Sequence, residues 1–512
     1  MRVLLLNLTR LGDLLQTQPV ISALAGRGFA VELVCLENFC AATSLLRDLN
    51  AVHPLPGASL RALTEKQWPQ AVTSLYTWKS TIRPLKKDDL IINLTPSLAS
   101  RLLTGFLGDQ TEAKGFTLDG YGFSLYSNDW TVYLQAASAC RGSSPLNLMD
   151  VFARVAETAP IQTFSLALPD QQAQSWAQNQ QQQIPEAQGL VAFQLGASNE
   201  IRRWPTAFFA TLGALLWRQK QLCPVLVGSG SEKKLAEKYK QATQCPALDL
   251  CGQTSLTQLG AILRQCRFLV TNDTGTMHLA AGLGVPVLAL FLATAQPWDT
   301  GPYQEKSFCL EPDIACHPCG FSTQCQKNNI CRQLITPQTV FHCILKWQYG
   351  EQINLAGETG ARIWESRLQH GWINLVSHTG HEASDRVRWL RIQRQAYCHL
   401  IDYHEAPHLS SLALPQGQTG EAIRSRLEIS HNLLSLLLQQ LDMAISRPEK
   451  IFLEKVMKSW KRIHAYWDKD EFFGVLGYLW NCHSQQHPDL PPLKELTARY
   501  LRLVTSLQAL FS

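Results

Sequence analysis

Apolar residues along the chain fall into two spacings, and the spacing changes near residue 350. Before that point, short continuous apolar runs alternate with stretches whose apolar positions recur every three or four residues, which reads as strand followed by helix. MRVLLLNL predicts a buried strand, LLQTQPVISALAGRG a helix ending at glycines, and AVELVCL the next strand. DLIINL (Asp89 to Leu94) repeats the strand pattern, and SLASRLLTGFLG is a helix stopped by Gly108. Strand, helix and strand at close spacing predict a parallel sheet covered by helices. Gln171 to Gln183, closed by Pro185, is polar and glutamine-rich, as a surface helix or linker at a domain boundary would be. A second α/β set then begins with LVAFQLGA (Leu190 to Ala197), a helix from Pro205, the strand-loop-helix PVLVGSGSEKKLAEKY, and the helix LTQLGAILRQC.

Beyond residue 350 three long segments carry helical spacing: Asp385 to Glu405, Glu421 to Ser446 and Lys450 to Trp467, joined by linkers with Pro407, Pro415 and Pro448. No strand signal of comparable length is expected there. The predicted organisation is 1–185 and 186–350, both α/β, then a mostly helical domain over 351–512. Trp364, Trp372, Trp389, Trp460, Trp467 and Trp480 read as core or interface anchors of that last part.

With 46% hydrophobic and 17% charged residues, the 512-residue chain has the balance of a folded soluble protein. A net charge of +5 is small for this length and argues for neither a nucleic-acid binder nor a strongly membrane-attracted protein. The amino-terminal apolar run, Val3 to Asn7, is too short for a signal peptide, and charge returns at Arg10 and Asp13. Leu279 to Ala295 is uncharged but broken by Gly282, Gly284 and Pro286, so no transmembrane helix is predicted and a cytoplasmic protein is expected.

Candidate chemistry concentrates where strands end. RFLVTNDTGTMHLAAGLGVPVLALF (Arg267 to Phe291) places Asn272 to Thr276 between a strand and a helix. The first amides of such a helix lack backbone partners and carry partial positive charge, so Thr274, Gly275 and Thr276 can hold an anion. The alternative is that Asp273 or Thr274 only caps the helix. Asp13 ends the corresponding turn after the first strand, where it reads as an N-cap for a helix over 14–25 or as a cleft carboxylate. The Gly228-Ser229-Gly230-Ser231 loop fits a nucleotide contact and a plain tight turn equally well. Cys316, Cys319, Cys325 and Cys331, spaced C-x2-C-x5-C-x5-C, predict a thiolate site for zinc or iron, with two disulfides or four free thiols as the alternatives. His317 is a substitute ligand. The other cysteines, such as Cys35 and Cys266, sit singly in apolar surroundings and read as buried thiols.

Four blocks together resemble glycosyltransferase family 9, the ADP-heptose:lipopolysaccharide heptosyltransferases: Arg10-Leu11-Gly12-Asp13 with the following Gln16 to Pro19, QLGASNEIRRWPTAFFATL (Gln194 to Leu212), PVLVGSGSEKKLAEKY, and NDTGTMHLAAGLGVPVLALF. The similarity spans roughly residues 1 to 345. It implies a GT-B fold, α/β with two facing Rossmann-like domains and a cleft, the acceptor held by the first and the sugar nucleotide by the second. The implied reaction is inverting transfer of a heptose from ADP-heptose to a glycan or protein acceptor, without a catalytic cofactor or metal. By the resemblance Asp13 is the base, Arg10 and Gly12 lie on the acceptor side, and Asp273 to Thr276 with His278 face the donor. Arg202 stands where the family has a phosphate-contacting lysine, with Arg203 as its rival. A similar cysteine cluster binds a structural iron in some protein-modifying members. Peripheral contact with the inner membrane face is compatible with this reading. Another nucleotide sugar, an epimerase, and a non-catalytic nucleotide-sugar-binding scaffold are the competing readings.

Overall fold

The computed structural model describes residues 1–108, 111–140, 144–320, 323–369, 371–403, 412–468, 470–486 and 489–511. The chain forms two compact units, Met1–Ser124 with Asn147–Gly380, and Leu125–Leu146 with His381–Ser512.

The first unit opens with β1 (Arg2–Asn7), α1 (Leu11–Leu15), α2 (Gln18–Gly26), β2 (Ala30–Leu36), β3 (Ala51–Leu55), α3 (Gly57–Lys66), α4 (Trp68–Ser80), β4 (Leu90–Asn93), α5 (Leu98–Leu107) and β5 (Glu112–Leu118). These strands pair in parallel in the order β3-β2-β1-β4-β5. All six residues of β1 are buried, as a central strand covered on both faces requires. The helix expected after β1 is broken in two. Pro19 lacks the amide that a continuing helix needs but fits the first turn of a new one, so α1 ends and α2 restarts with proline at its head. The helix also starts earlier than expected, with Arg10 at the N-cap position, so Asp13 lies within the first turn of α1 instead of capping it.

The short β6 (Ser124–Tyr126) and α6 (Asp129–Ala139) follow, then α7 (Leu148–Val155) and the glutamine-rich helix α8 (Gln171–Gln181). The second sheet is assembled from β7 (Gly189–Gln194), α9 (Thr206–Lys220), β8 (Leu222–Val227), α10 (Lys233–Ala242), β9 (Leu248–Asp249), α11 (Leu256–Gln265), β10 (Cys266–Asn272), α12 (Gly275–Gly282), β11 (Val287–Leu290), α13 (Pro297–Thr300), β12 (Phe308–Pro312), α14 (Cys331–Leu334), α15 (Pro337–Tyr349), β13 (Ala361–Gln369) and β14 (Trp372–Ser377). Its eight strands run β14-β13-β12-β11-β10-β7-β8-β9. The six from β12 to β9 are parallel, and β13 and β14 add an antiparallel hairpin at one edge. That hairpin corrects the expectation that no strands follow residue 350. Arg362, Glu365 and Arg367 interrupt the apolar run of β13, which hides it from a reading of continuous apolarity. Trp204 anchors the core below this sheet: it is fully buried, packs edge-on against Phe208 and Phe209, and its indole N–H donates to the Ile335 carbonyl at 2.8 Å.

The second unit is helical, with α16 (Asp385–Asp402), α17 (Gly417–Ser446), α18 (Lys450–Trp467), α19 (Gly474–Gln486) and α20 (Leu490–Leu510). Pro407, and the end of the segment to Glu405, lie outside the described residues. α6 belongs here as well, although in sequence it sits inside the first α/β stretch. Asp129 on α6 pairs with Arg499 at 2.7 Å, and the Trp130 indole donates to Asp402 at 2.7 Å. The core is an aromatic knot: the Trp467 indole donates to Ser430 at 2.9 Å, and Trp480 meets Tyr500 edge-on at 5.1 Å. His483 Nδ1 lies 2.9 Å from the Tyr500 hydroxyl. Burial pushes the Tyr500 phenol well above its ordinary pKa. Replacing Trp467 by Ala empties this knot and removes the indole bond to Ser430, whose hydroxyl keeps its bond to the Arg426 carbonyl. The helical unit is expected to lose about 3–5 kcal/mol of stability, measured as an earlier urea transition in circular dichroism, with the transition of the α/β unit unchanged.

Candidate active site

Each sheet reverses its strand order once. In the first, β2 and β3 extend to one side of β1 while β4 and β5 extend to the other; in the second, β8 and β9 leave β7 on one side and β10 to β12 on the other. Strand ends at such reversals open a crevice between diverging helices, the usual ligand position in open α/β sheets.

At the first reversal Asn7 organises the turn. Its buried amide donates to the Asp13 carbonyl at 3.1 Å, and its side-chain oxygen accepts from the Thr9 amide at 3.2 Å and from the Thr9 hydroxyl. Thr95, at the end of the neighbouring strand, accepts the Leu8 amide at 2.9 Å. Asp13 is thereby held half-buried on a fixed turn, while Arg10 is exposed beside it.

At the second reversal Asn272 has the corresponding role with more partners. It is fully buried, its amide nitrogen lies 3.1 Å from the carbonyls of both Leu195 and Gly196, and its oxygen accepts the Trp204 amide at 2.8 Å. One side chain therefore ties the exit of β7, the 197–204 loop and the exit of β10 together. That loop delivers Arg202, buried and ion-paired with Asp273. Arg203 is used differently: its Nε donates to the Ala197 carbonyl at 3.0 Å, bracing the loop. The geometry thus puts Arg202, and not its neighbour, beside the turn.

The capping alternative for the turn is not what the structure contains. Thr274 occupies the N-cap position of α12 with no side-chain capping bond, and its hydroxyl lies 3.2 Å from that of Thr271. The Thr276 hydroxyl donates to Gln194 at 3.0 Å, and Gln194 donates to Glu232 at 3.2 Å. Glu232 also accepts the Ser229 amide at 2.6 Å, so the Gly228 to Ser231 loop becomes a capped turn. A Cβ on Gly196 would fall 1.3 Å from the Glu232 carboxylate, so any side chain there would displace that carboxylate from its present place. The sequence reading assigned no role to Glu232, Gln194 or Asn272. The Ser-x-x-Glu capping spacing of Ser229 and Glu232 was the available signal, but it points to a helix start and not to a carboxylate turned toward the strand reversal.

The two reversals meet. Gly275 comes within 3.4 Å of where a Gly12 Cβ would lie, and a Gly275 Cβ would lie 3.2 Å from Leu11. His278 closes the same seam: it is buried, its ring would lie 2.9 Å from a Gly12 Cβ, and its Nε2 sits 3.4 Å from the Gln16 amide, which also donates to the Gly12 carbonyl at 3.2 Å. Asp13 and the amino-terminal turn of α12 are thus sequence neighbours of two glycines in backbone contact.

The four cysteines line one cavity of about 290 Å³ with Ile201, Ala293 and Ile314. Among the described residues, however, no group of three or more His, Cys, Asp and Glu side chains could hold a metal ion. The expected tetrahedral thiolate grip is therefore not formed: Cys331 is buried at the head of α14, whereas Cys316 and Cys325 stand on the exposed rim. His317 turns away into the core, 3.4 Å from the buried Glu311. Burial, followed by the neighbouring thiols, raises the Cys319 pKa. The amides of Asn329 and Lys327 lower that of Cys325. The loop also supports the arginine segment, because Arg332 donates to the Arg203 carbonyl at 2.8 Å and Ile201 forms one cavity wall.

The family model for glycosyltransferase family 9 (heptosyltransferase) matches residues 78–330. Just under half of the chain therefore carries a glycosyltransferase family 9 region. The matched stretch contains Arg202, Asp273 and three of the four cysteines, while Asp13 precedes it. Over 333 residues the glycosyltransferase is 28% identical to lipopolysaccharide heptosyltransferase 1 of Pseudomonas aeruginosa, covering 62% of this chain and 86% of that protein. It is 34% identical over 125 residues to lipopolysaccharide heptosyltransferase 2 of Salmonella typhimurium, covering 23% of this chain and 35% of that one. The solved structure of the Escherichia coli ADP-heptose lps heptosyltransferase II is 19% identical, with 69% of this chain and 100% of that chain covered at a TM-score of 0.49.

Two outcomes follow from the site geometry. Because the lowered Cys325 pKa leaves more thiolate near neutral pH, iodoacetamide should modify Cys325 well before Cys319 or Cys331, and its rate should level off at lower pH than theirs; peptide mass spectrometry reads the order. Gly12→Val should force α1 from α12 and reduce glycosyl transfer by about tenfold or more, since small displacements of catalytic groups carry costs of that size, while circular dichroism stays native.

Proposed function

We propose that this glycosyltransferase moves a heptose from ADP-heptose to an acceptor hydroxyl of the lipopolysaccharide core or a related glycan, with inversion at the anomeric carbon. The seam of Gly12 and Gly275 carries this reading, because it sets a carboxylate on one strand reversal against an uncapped helix start on the other.

In the proposed step the acceptor O–H loses its proton to Asp13 as its oxygen attacks the anomeric carbon, and the bond from that carbon to the diphosphate breaks. Negative charge grows on the departing ADP. The amides of Gly275 and Thr276 and the Thr274 and Thr276 hydroxyls can meet that charge, as can the Arg202 guanidinium, which binds phosphate through two parallel N–H groups. The pairing of Arg202 with Asp273 supports this role: it keeps a cation at the turn before ligand arrives, and a phosphate can take over one face of the guanidinium. Asp273 is then available to a sugar hydroxyl, and Glu232 to the ribose hydroxyls, the partners that carboxylates at strand ends commonly take. His278 and Gln16 hold the seam and shield the reacting groups from water. In this reading no metal takes part in the transfer.

No helix among the described residues is long and apolar enough to cross a membrane. The proposed place of action is the cytoplasmic side of the inner membrane, where such an acceptor is assembled.

Asp13→Asn keeps the shape and the Asn7 contact but cannot take the proton. Transfer, followed by ADP release from ADP-heptose with an acceptor, should fall by about 10²–10⁴-fold, with ADP affinity by calorimetry within about twofold of the native value. Turnover near the native rate would remove Asp13 from the base role.

A further inference from the structure

We propose that the outer face of α4 and α5 docks on an anionic lipid surface. Trp68, Val72 and Tyr76 are four residues apart and so share one side of α4, and they are 68%, 43% and 60% exposed. Leu98 and Leu102 stand the same way on α5, at 63% and 57%. Phe106 continues that stripe and joins the two, meeting Tyr76 edge-on at a centroid distance of 5.0 Å. Both helices already bury a second apolar side, through Ala71 and Trp78 on α4 and Leu103 and Leu107 on α5. An amphipathic surface helix has one apolar side facing the core and a polar side facing water. Here the side facing water is apolar too, and the patch is continuous across two helices, the condition under which an exposed patch marks a docking surface.

Charge selects the occupant. Neither helix contains an acidic residue. Lys79 lies 4.4 Å over the Phe106 ring, and the loop after α4 adds exposed Arg83, Lys86 and Lys87. Asp88 is the exposed acid of that loop; Asp89 is buried and accepts the amides of Arg2 and Lys86 at 3.0 and 2.9 Å. Lys79 and Lys87 share the wall of an open cavity of about 650 Å³ with Tyr76, Ile82, Leu85 and Leu107. Ammonium groups over an apolar floor match a phosphate headgroup with its first acyl methylenes, and Trp and Tyr match the interfacial layer of a bilayer. A protein interface core is depleted in lysine, which sets this patch apart from one built for another protein chain.

The inference does not rest on the transfer reading, because lipid binding needs neither donor nor acceptor sugar. The test is co-sedimentation of the full chain with vesicles of phosphatidylglycerol and phosphatidylcholine in about equal parts, compared with phosphatidylcholine alone. The native chain should partition several-fold better onto the anionic vesicles. Trp68→Ser with Tyr76→Ser, and separately Lys86→Glu with Lys87→Glu, should each lower the partition coefficient about tenfold. All four residues are exposed, so circular dichroism should remain native. Absence of vesicle binding overturns the proposal, as does binding that both double variants retain. It is equally overturned if the native chain is an oligomer that Trp68→Ser with Tyr76→Ser dissociates, since the face is then covered by a second copy.

Discussion

The approach of two backbones at Gly12 and Gly275 is the constraint on which the site depends. Each glycine lies in the first turn of a helix that follows a strand at a point of order reversal, and neither has room for a methyl group without displacing the other side. The separation of the two sheets is therefore set by main chain, which has few rotamers to lose and little to repack. Side chains then lock the contact: His278 fills the seam and Gln16 bridges it. Asp13 and Thr276 inherit their mutual placement from this contact.

A second layer holds each half of the site in shape. Asn7 and Asn272 are buried amides at equivalent strand exits, each using donor and acceptor ends on backbone groups that would otherwise be left unpaired as the chain turns. An aspartate in either place could accept but not donate, so the strand exits would lose the bonds to their carbonyls. The ion pair of Arg202 and Asp273 adds directional charge. Removal of one member of such a buried pair typically costs about 3–5 kcal/mol, because the other is left uncompensated. The pair thus couples the stability of the turn to the cation that the turn presents.

Much of this was legible in the chain. The alternation of apolar runs and helical spacing up to residue 350 located the two α/β halves, and the turns after β1 and β10 were readable because a strand, a polar turn with glycine and a helix follow in order. The helix break at Thr17 was not anticipated, because Gln16 to Pro19 maintain helical spacing even as Pro19 forces a restart. The β13 and β14 hairpin escaped notice because charged residues on its solvent side interrupt the apolar run. The assignment of α6 to the helical unit could not be read locally at all: it depends on Asp129 meeting Arg499, a pairing across 370 positions of sequence. Glu232 was hidden for a related reason, since its capping role is local and its place at the strand reversal is tertiary. Cysteine spacing placed four thiols around one cavity, but among the described residues they do not close into a group that could hold a metal ion.

The cysteine loop has a mechanical relation to the arginine segment that its spacing does not suggest. Ile201, one residue before Arg202, forms part of the wall of the thiol cavity, and Arg332, one residue after Cys331, holds the carbonyl of Arg203. The segment carrying Arg202 is therefore clamped between Asn272 on its inner side and the thiol loop on its outer side. Any chemistry that redraws the loop, whether a new S–S bond or an added adduct, acts on a shared wall. It would be transmitted as a shift of main chain to a guanidinium whose usefulness depends on its angle, so the thiols would influence the site as a hinge pin influences a door, without touching what passes through it.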